Sequence, residues 1–361
     1  MQKNRGKIIS PFLIFSLVVF LVTRALSFLS GESVYLADYL NSTLCHAFRR
    51  IMASFGDLFD FSLVEVIVIL LPLIIIFICI YAARTFSRGG SRVRFIGNIL
   101  AVAMLLLSGH TIALGIAYKT TPVSEKMELS EVEITEERLY ELSVMLRDEV
   151  NSLASEVSRD GEGVFVFDLG MDYLSEEICR SYEALSEKYS LPKAYSSRIK
   201  GVRNPPLMSY LEITGVYTYF TGEATVNTGF PAYDMVFAAA HEASHQRGIL
   251  RENEANFMAY LICKDSENTA LRYSGALTIL EYISSALYKT SPDSYYEVME
   301  ELCTEARYDM RASRAVIEKY SDTFIGELSN KFNDFFLKSN GTDGVVTYGR
   351  VVHLVVSYYY S

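Results

Sequence analysis

The chain is poor in the residues that build small metal or disulfide frameworks. Its five cysteines, Cys45, Cys79, Cys179, Cys263 and Cys303, contain no C-x-x-C pair and are odd in number. That pattern excludes a zinc ribbon and argues against a disulfide framework. Most read as small apolar core residues, and Cys79 lies inside an apolar run. Basic residues are short after position 118, with 23 Lys and Arg against 38 Asp and Glu. So acidic a region argues against nucleic acid as a partner. The first 118 residues reverse the balance, with 10 basic against 5 acidic. Half of all residues are hydrophobic, and three stretches carry almost no charge, so the chain is not a purely soluble protein.

The first stretch, about 8–29, follows Lys3, Arg5 and Lys7 and is interrupted only by Arg24. It is long for a signal peptide, and no small-x-small cleavage site precedes Gly31, so it reads as a transmembrane helix. The second, about 62–83, contains Pro72, which kinks a membrane helix without breaking it. The third covers about 95–118. Arg84, Arg88, Arg92 and Arg94 lie between the last two. The positive-inside rule places this loop and the N-terminus in the cytoplasm, and everything after Tyr118 outside. The expectation is a multi-pass protein of a bacterial cell membrane, with the lipid bilayer as a partner. Its membrane domain is 1–118 and its extracytoplasmic domain 119–361. Between the first two spans, Leu44, Phe48, Ile51, Met52 and Phe55 recur at near-helical spacing around Arg49 and Arg50. An amphipathic helix on the membrane surface and one packed on the soluble domain satisfy that periodicity equally.

The domain 119–361 reads as α+β and mainly helical with a small sheet. Thr135 to about Ser158 is an amphipathic helix, and Ser175 with Glu176 and Glu177 resembles the capped start of another that ends near Tyr189. Leu191 to Phe230 is rich in Gly, Pro, Val, Thr and Tyr and reads as strands. From Ile262 to about Lys338 the chain is again helical. Val351 to Tyr359, too short to span a membrane, reads as a docked strand or buried helix end.

The chemistry gathers at His241-Glu242-Ala243-Ser244-His245, an H-E-x-x-H motif in a chain with five histidines. Two histidines four residues apart lie on one face of a helix and can reach one ion. The Glu between them is placed to take a proton from an activated water. Gly248 suits the left-handed residue that ends such a helix. A second helix must then fold back from about Arg251, bringing a third ligand. Glu254 shares its helical face with Met258 and Leu261, whereas Glu252 groups with Ala255, Asn256 and Ala259 and suits the helix dipole. Glu254 is therefore the expected ligand, with Glu252 the alternative.

The segments His241–Gly248 and Glu252–Phe257, with Thr221–Asn227 upstream and Leu337–Gly341, Gly344-Val345 and Tyr348-Gly349-Arg350 near the end, resemble the bacterial membrane family catalogued as domain of unknown function 3810. That family is regarded as zincin-like. The element Glu254-Ala255-Asn256-Phe257 is also similar to that of metallopeptidases that cleave phage-type repressors. There the Glu is a zinc ligand, which again implies Glu254.

The expected function is a membrane-anchored zinc metallopeptidase, with Zn²⁺ held by His241, His245 and Glu254 and with Glu242 as general base. It would hydrolyse an extracytoplasmic protein or peptide. A zincin also needs an edge strand on which an extended substrate can pair. Thr221 to Thr228 is the expected strand, with Glu223 and Asn227 as candidate substrate contacts. Tyr273, Tyr348, Arg350 and His353 are oxyanion donors only if they reach the site. The alternative from another class is a membrane sensor or assembly factor with structural zinc, though a purely structural site has no use for Glu242; a zinc amidase acting on cell-wall peptides shares the same metal chemistry.

Overall fold

A computed structural model describes residues 10–89, 91–321, 326, 327, 329, 331 and 348–361. Three of its helices are long and apolar enough to cross a membrane. Each begins at a serine cap. Ser10 accepts from Leu13 N to start α1 (Pro11–Glu32), Ser62 from Glu65 N to start α4 (Leu63–Ser87), and Ser91 from Arg94 N to start α5 (Arg92–His110). A capping hydroxyl satisfies an N–H that an apolar helix end cannot leave bare. Pro72 sits inside α4 without ending it. The helix α1 packs along α5, where Ser10 Oγ donates to Asn98 Oδ1 at 2.8 Å. Beyond His110 the α5 helix widens into a π turn at Thr111–Gly115 and closes in a 3₁₀ turn at Ala117–Lys119.

Between the first two long helices, α2 (Val34–Leu40) runs through a second π turn, Asn41–Cys45, into α3 (His46–Gly56). The periodicity left two settings open for α3, and the structure shows it packed on the C-terminal half. A Cβ at Gly222, whose φ is +73°, would lie 2.2 Å from Ala53 N and from Met52 C. Only glycine permits so close a backbone approach. The opposite side of α3, including Ile51 and Phe55, stays exposed.

The remainder is a helical core around a small sheet. Two of its helices are short, α6 (Val123–Lys126) and α9 (Pro205–Ser209), and Thr135 caps the longer α7 (Glu136–Ala154), as its sequence suggests. The next helix, α8, starts earlier than Ser175 and runs Gly170–Lys188. Ser175 lies inside it, its hydroxyl bonded to Met171 O. Strands β1 (Ile199–Gly201), β2 (Gly215–Thr218) and β3 (Glu223–Val226) all fall in the Gly-, Pro- and Val-rich segment. Their order is β1-β3-β2, with β1 parallel and β2 antiparallel to β3. The expectation that Thr221–Thr228 forms the sheet edge is corrected here: β3 is the central strand, all four of its residues are buried, and the edges are β1 and β2, of which β2 meets the motif helix.

After β3 come α10 (Ala232–Arg247), α11 (Glu252–Lys264), α12 (Thr269–Thr290), α13 (Pro292–Glu300) and α14 (Thr304–Tyr320). A C-terminal helix, Tyr348–Tyr360, buries Val351, Val352, Val355 and Val356. Its 3–4 spacing makes it a helix rather than a strand. The motif Leu337–Gly341 with Gly344-Val345 lies outside the described residues.

Candidate metal centre

The motif helix α10 is core on nearly every side, from Met235 to Arg247, with His241 the only residue in that span that is not buried. It stops at Gly248, which takes φ +96°. Gly248 N bonds to His245 O at 2.9 Å and Ile249 N to Ser244 O at 3.1 Å, the paired closure that a left-handed residue allows. After three intervening residues α11 begins at Glu252 and returns beside α10, as the sequence requires.

That return brings Glu252 to the histidines. Glu252 Oε2 lies 3.3 Å from His241 Nε2 and Oε1 lies 3.4 Å from His245 Nε2. One donor atom from each of the three residues falls within 4.8 Å of the others. Glu254 points elsewhere: its Oε1 accepts from Val123 N at 3.1 Å and from Arg251 Nη1 at 3.0 Å. The expectation of Glu254 beside the histidines is thus corrected. It is buried, as its helical phase implied, but the buried face of α11 turns toward the chain that leaves α5. The face carrying Glu252 and Asn256 looks at α10.

Both imidazoles are held through the other nitrogen. His241 Nδ1 is 2.8 Å from Asn256 Oδ1, and His245 Nδ1 is 2.8 Å from Ile249 O. A carbonyl can only accept, which puts the proton on Nδ1 of His245. Asn256 Oδ1 does the same for His241. Each Nε2 is then turned toward Glu252, and it is the atom that a metal-binding histidine offers an ion once it carries no proton. Asn256 is thus a residue of the site that the motif alone does not mark.

Burial and charge set the protonation states. Burial opposes a positive charge on His245, but the Glu252 carboxylate outweighs it and raises this histidine to about 9. Burial likewise opposes the Glu252 carboxylate, and the facing His245 and His241 overcome this to hold it far below the usual carboxylate range. Without a cation, the cluster therefore retains a proton on His245. Its pairing with Glu252 stabilises the fold fully below pH 6.5, the ordinary histidine value, and is lost as pH rises through about 9. An ion held there would have to displace that proton. The affinity of the cluster for added zinc would accordingly rise about tenfold per pH unit from pH 6.5 toward 9, with about one proton released per ion at pH 7. Calorimetry in buffers of different ionisation enthalpy measures the release. A flat affinity over that range would contradict this protonation scheme.

Glu242 is buried against the edge strand. Burial pushes its carboxyl up, opposed by the neighbouring His241 and His245 and by the backbone N–H of Tyr217. A Cβ on Gly215 would come within 2.7 Å of Glu242 Cγ, so β2 approaches the motif glutamate only because position 215 lacks a side chain. A glycine opening a strand was the only sequence sign of this contact.

The other candidates lie elsewhere. Glu223 is buried and ion-paired with Lys200 at 2.5 Å, and its carboxylate accepts from Leu63 N and Val64 N at the start of α4. Asn227 is buried and ties Ser209 Oγ, Ile213 O and Gly229 N together. Both were expected to touch substrate, and both instead satisfy internal partners. The buried Tyr273 hydroxyl donates to Asp309. His353 and Arg350 are exposed on the C-terminal helix, and the Tyr348 side chain lies outside the described residues.

A family model described as "Protein of unknown function (DUF3810)" matches residues 39–356. The chain belongs to this family. The match begins in α2 and ends in the C-terminal helix, so it includes two of the three long apolar helices together with the His241, His245 and Glu252 cluster. No curated protein and no solved structure matches it.

Proposed function

We propose that this DUF3810 chain is a membrane-anchored, zinc-dependent metallopeptidase. The observation that supports it best is a two-histidine, one-glutamate donor set with fixed imidazole tautomers, joined by a buried Glu242 next to a sheet edge. The donors suit zinc in number and kind: three protein ligands leave the open position that a catalytic site needs. Bound there, zinc polarises a carbonyl and lowers the pKa of water.

The chain's own residues supply the rest. His241, His245 and Glu252 fix the position, and Asn256 and Ile249 O orient the rings. Glu242, its carboxyl raised by burial, takes a proton from the attacking water and delivers it to the leaving amine. The outer side of β2, apart from the Tyr217 N–H that Glu242 holds, offers backbone groups to an extended peptide. In this reading the three long apolar helices span the membrane. The Arg-rich loop between α4 and α5 is cytoplasmic, and the metal centre lies outside.

The test is zinc content and peptide hydrolysis by the detergent-purified full chain. Wild type should hold about one zinc per chain and hydrolyse an unstructured protein only when zinc-loaded. Glu252→Ala should lose zinc affinity by at least about 100-fold, a larger loss than removing an outer-shell partner brings. Glu254→Ala should keep the metal. Zinc retained by Glu252→Ala and lost by Glu254→Ala would overturn the ligand set, and a zinc-loaded wild type without hydrolysis would overturn the activity.

A further inference from the structure

The edge strand β2 joins two places that matter for substrate. At its first residue, Gly215, it touches Glu242. Just past its last residue it reaches α5: Tyr219 Oη donates to Leu106 O at 3.1 Å, and a Cβ on Gly109 would lie 3.3 Å from the Tyr219 ring. That meeting point is where the apolar run Ile99–Leu107 gives way to Ser108, Gly109, His110 and Thr111. The ring of His110 packs edge-on against Tyr219 at 5.8 Å, and Phe220 packs edge-on against Tyr219 at 5.3 Å. Aromatic residues with a polar tip gather at this depth, where hydrocarbon meets the headgroups.

On the strand's outer side the Tyr217 N–H is taken up by Glu242, which leaves the Gly215 backbone and the Tyr217 carbonyl to pair with a peptide in register. Asn227 N donates to Thr214 O at 2.8 Å, and the pairing continues as Val216 with Thr225 and Thr218 with Glu223. Antiparallel alternation then turns the backbone groups of Gly215 and Tyr217 away from β3. No strand among the described residues lies on that side. A peptide added there runs along a track that starts at the bilayer surface and ends at Glu242. Four residues at about 3.3 Å each make the track roughly 13 Å long.

We infer that the substrates are extended juxtamembrane segments of other membrane-anchored proteins, cut about four to eight residues outside their own span. This rests on the metallopeptidase reading above and adds the substrate class. Anchoring the substrate in the same bilayer also raises its effective concentration at β2.

The experiment uses the zinc-loaded full chain in phosphatidylethanolamine–phosphatidylglycerol vesicles. One unstructured cleavable sequence is presented three ways: directly after a single transmembrane helix, after a 40-residue Gly/Ser spacer on the same helix, and as a free peptide. The cut sites are read by mass spectrometry. The directly anchored form should be cut at least about tenfold faster than the other two, within the first eight residues outside the span. Equal rates for all three, or cuts placed without regard to the membrane, would overturn this inference and leave the metallopeptidase reading standing. Failure to cut any of the three would overturn both.

Discussion

Glu242→Gln is expected to keep about one zinc per chain and to lower hydrolysis by about 10³-fold, within the range by which a positioned proton-transfer group accelerates a reaction. The substitution is nearly isosteric, so the contact with Gly215 and the approach of the Tyr217 N–H survive. What disappears is the ability to take a proton. Two features make the loss large. The site offers no substitute carboxylate, since Glu252 is engaged by both histidines and Glu254 is held by Arg251 and Val123 N. Burial also raises the wild-type carboxyl, so its carboxylate takes a proton from water more readily than a solvated glutamate would. Zinc content and steady-state hydrolysis on the same preparation decide the matter. A Gln variant with a normal metal load and wild-type turnover would remove Glu242 from the mechanism.

The motif helix, its glycine stop and the returning helix were legible in the sequence because each depends on local rules: spacing of four, a left-handed residue, a resumed apolar period. The three long apolar helices and the strand-bearing segment were legible for the same reason. The residue that completes the cluster with His241 and His245 was not. Helical phase reports which side of α11 is buried, and Glu254 is indeed buried. It does not report what covers that side, which here is the segment after α5 with its Val123 N–H. Glu223 and Asn227 illustrate a related limit. Polar residues in a strand before the active helix suit a substrate contact, yet their partners, Lys200 with the start of α4 and the loop around Ser209, come from distant parts of the chain. The edge strand was misplaced because strand order is a long-range property. Proximity to α10 in sequence pointed to β3, whereas the short β2 carries Gly215.

The largest effect on stability is expected at Arg49, a residue that touches no proposed ligand. Its side chain is completely buried with no carboxylate beside it. It donates instead to Asn41 O at 3.0 Å, Asn41 Oδ1 at 2.8 Å, Ala113 O at 3.0 Å and Arg247 O at 3.5 Å. Asn41 and Ala113 lie in the two π turns, where the wider ring leaves a carbonyl outside the regular ladder. Arg247 ends the motif helix, where partial negative charge collects. One guanidinium therefore joins the segment before α3, the outer end of α5 and the C-terminus of α10. Gly248 seals the arrangement, because a Cβ there would come within 2.4 Å of Arg49 Nη2. Arg49→Met keeps the length and strands these carbonyls. At the low end of about 1–3 kcal/mol for each buried acceptor left unpaired, the four together cost about 4 kcal/mol, enough to lower the unfolding midpoint of the full chain by on the order of 10 °C. Arg49→Lys, with a charge but no planar fork, should recover only part of that loss. Thermal unfolding in detergent measures both, and a Met variant that melts with wild type would show the junction to be passive. If the loss is found, zinc affinity should fall with it, because Ile249 O, which orients His245, follows directly on the turn that Arg49 holds. The centre would then be built jointly by the long apolar helices and the domain they carry.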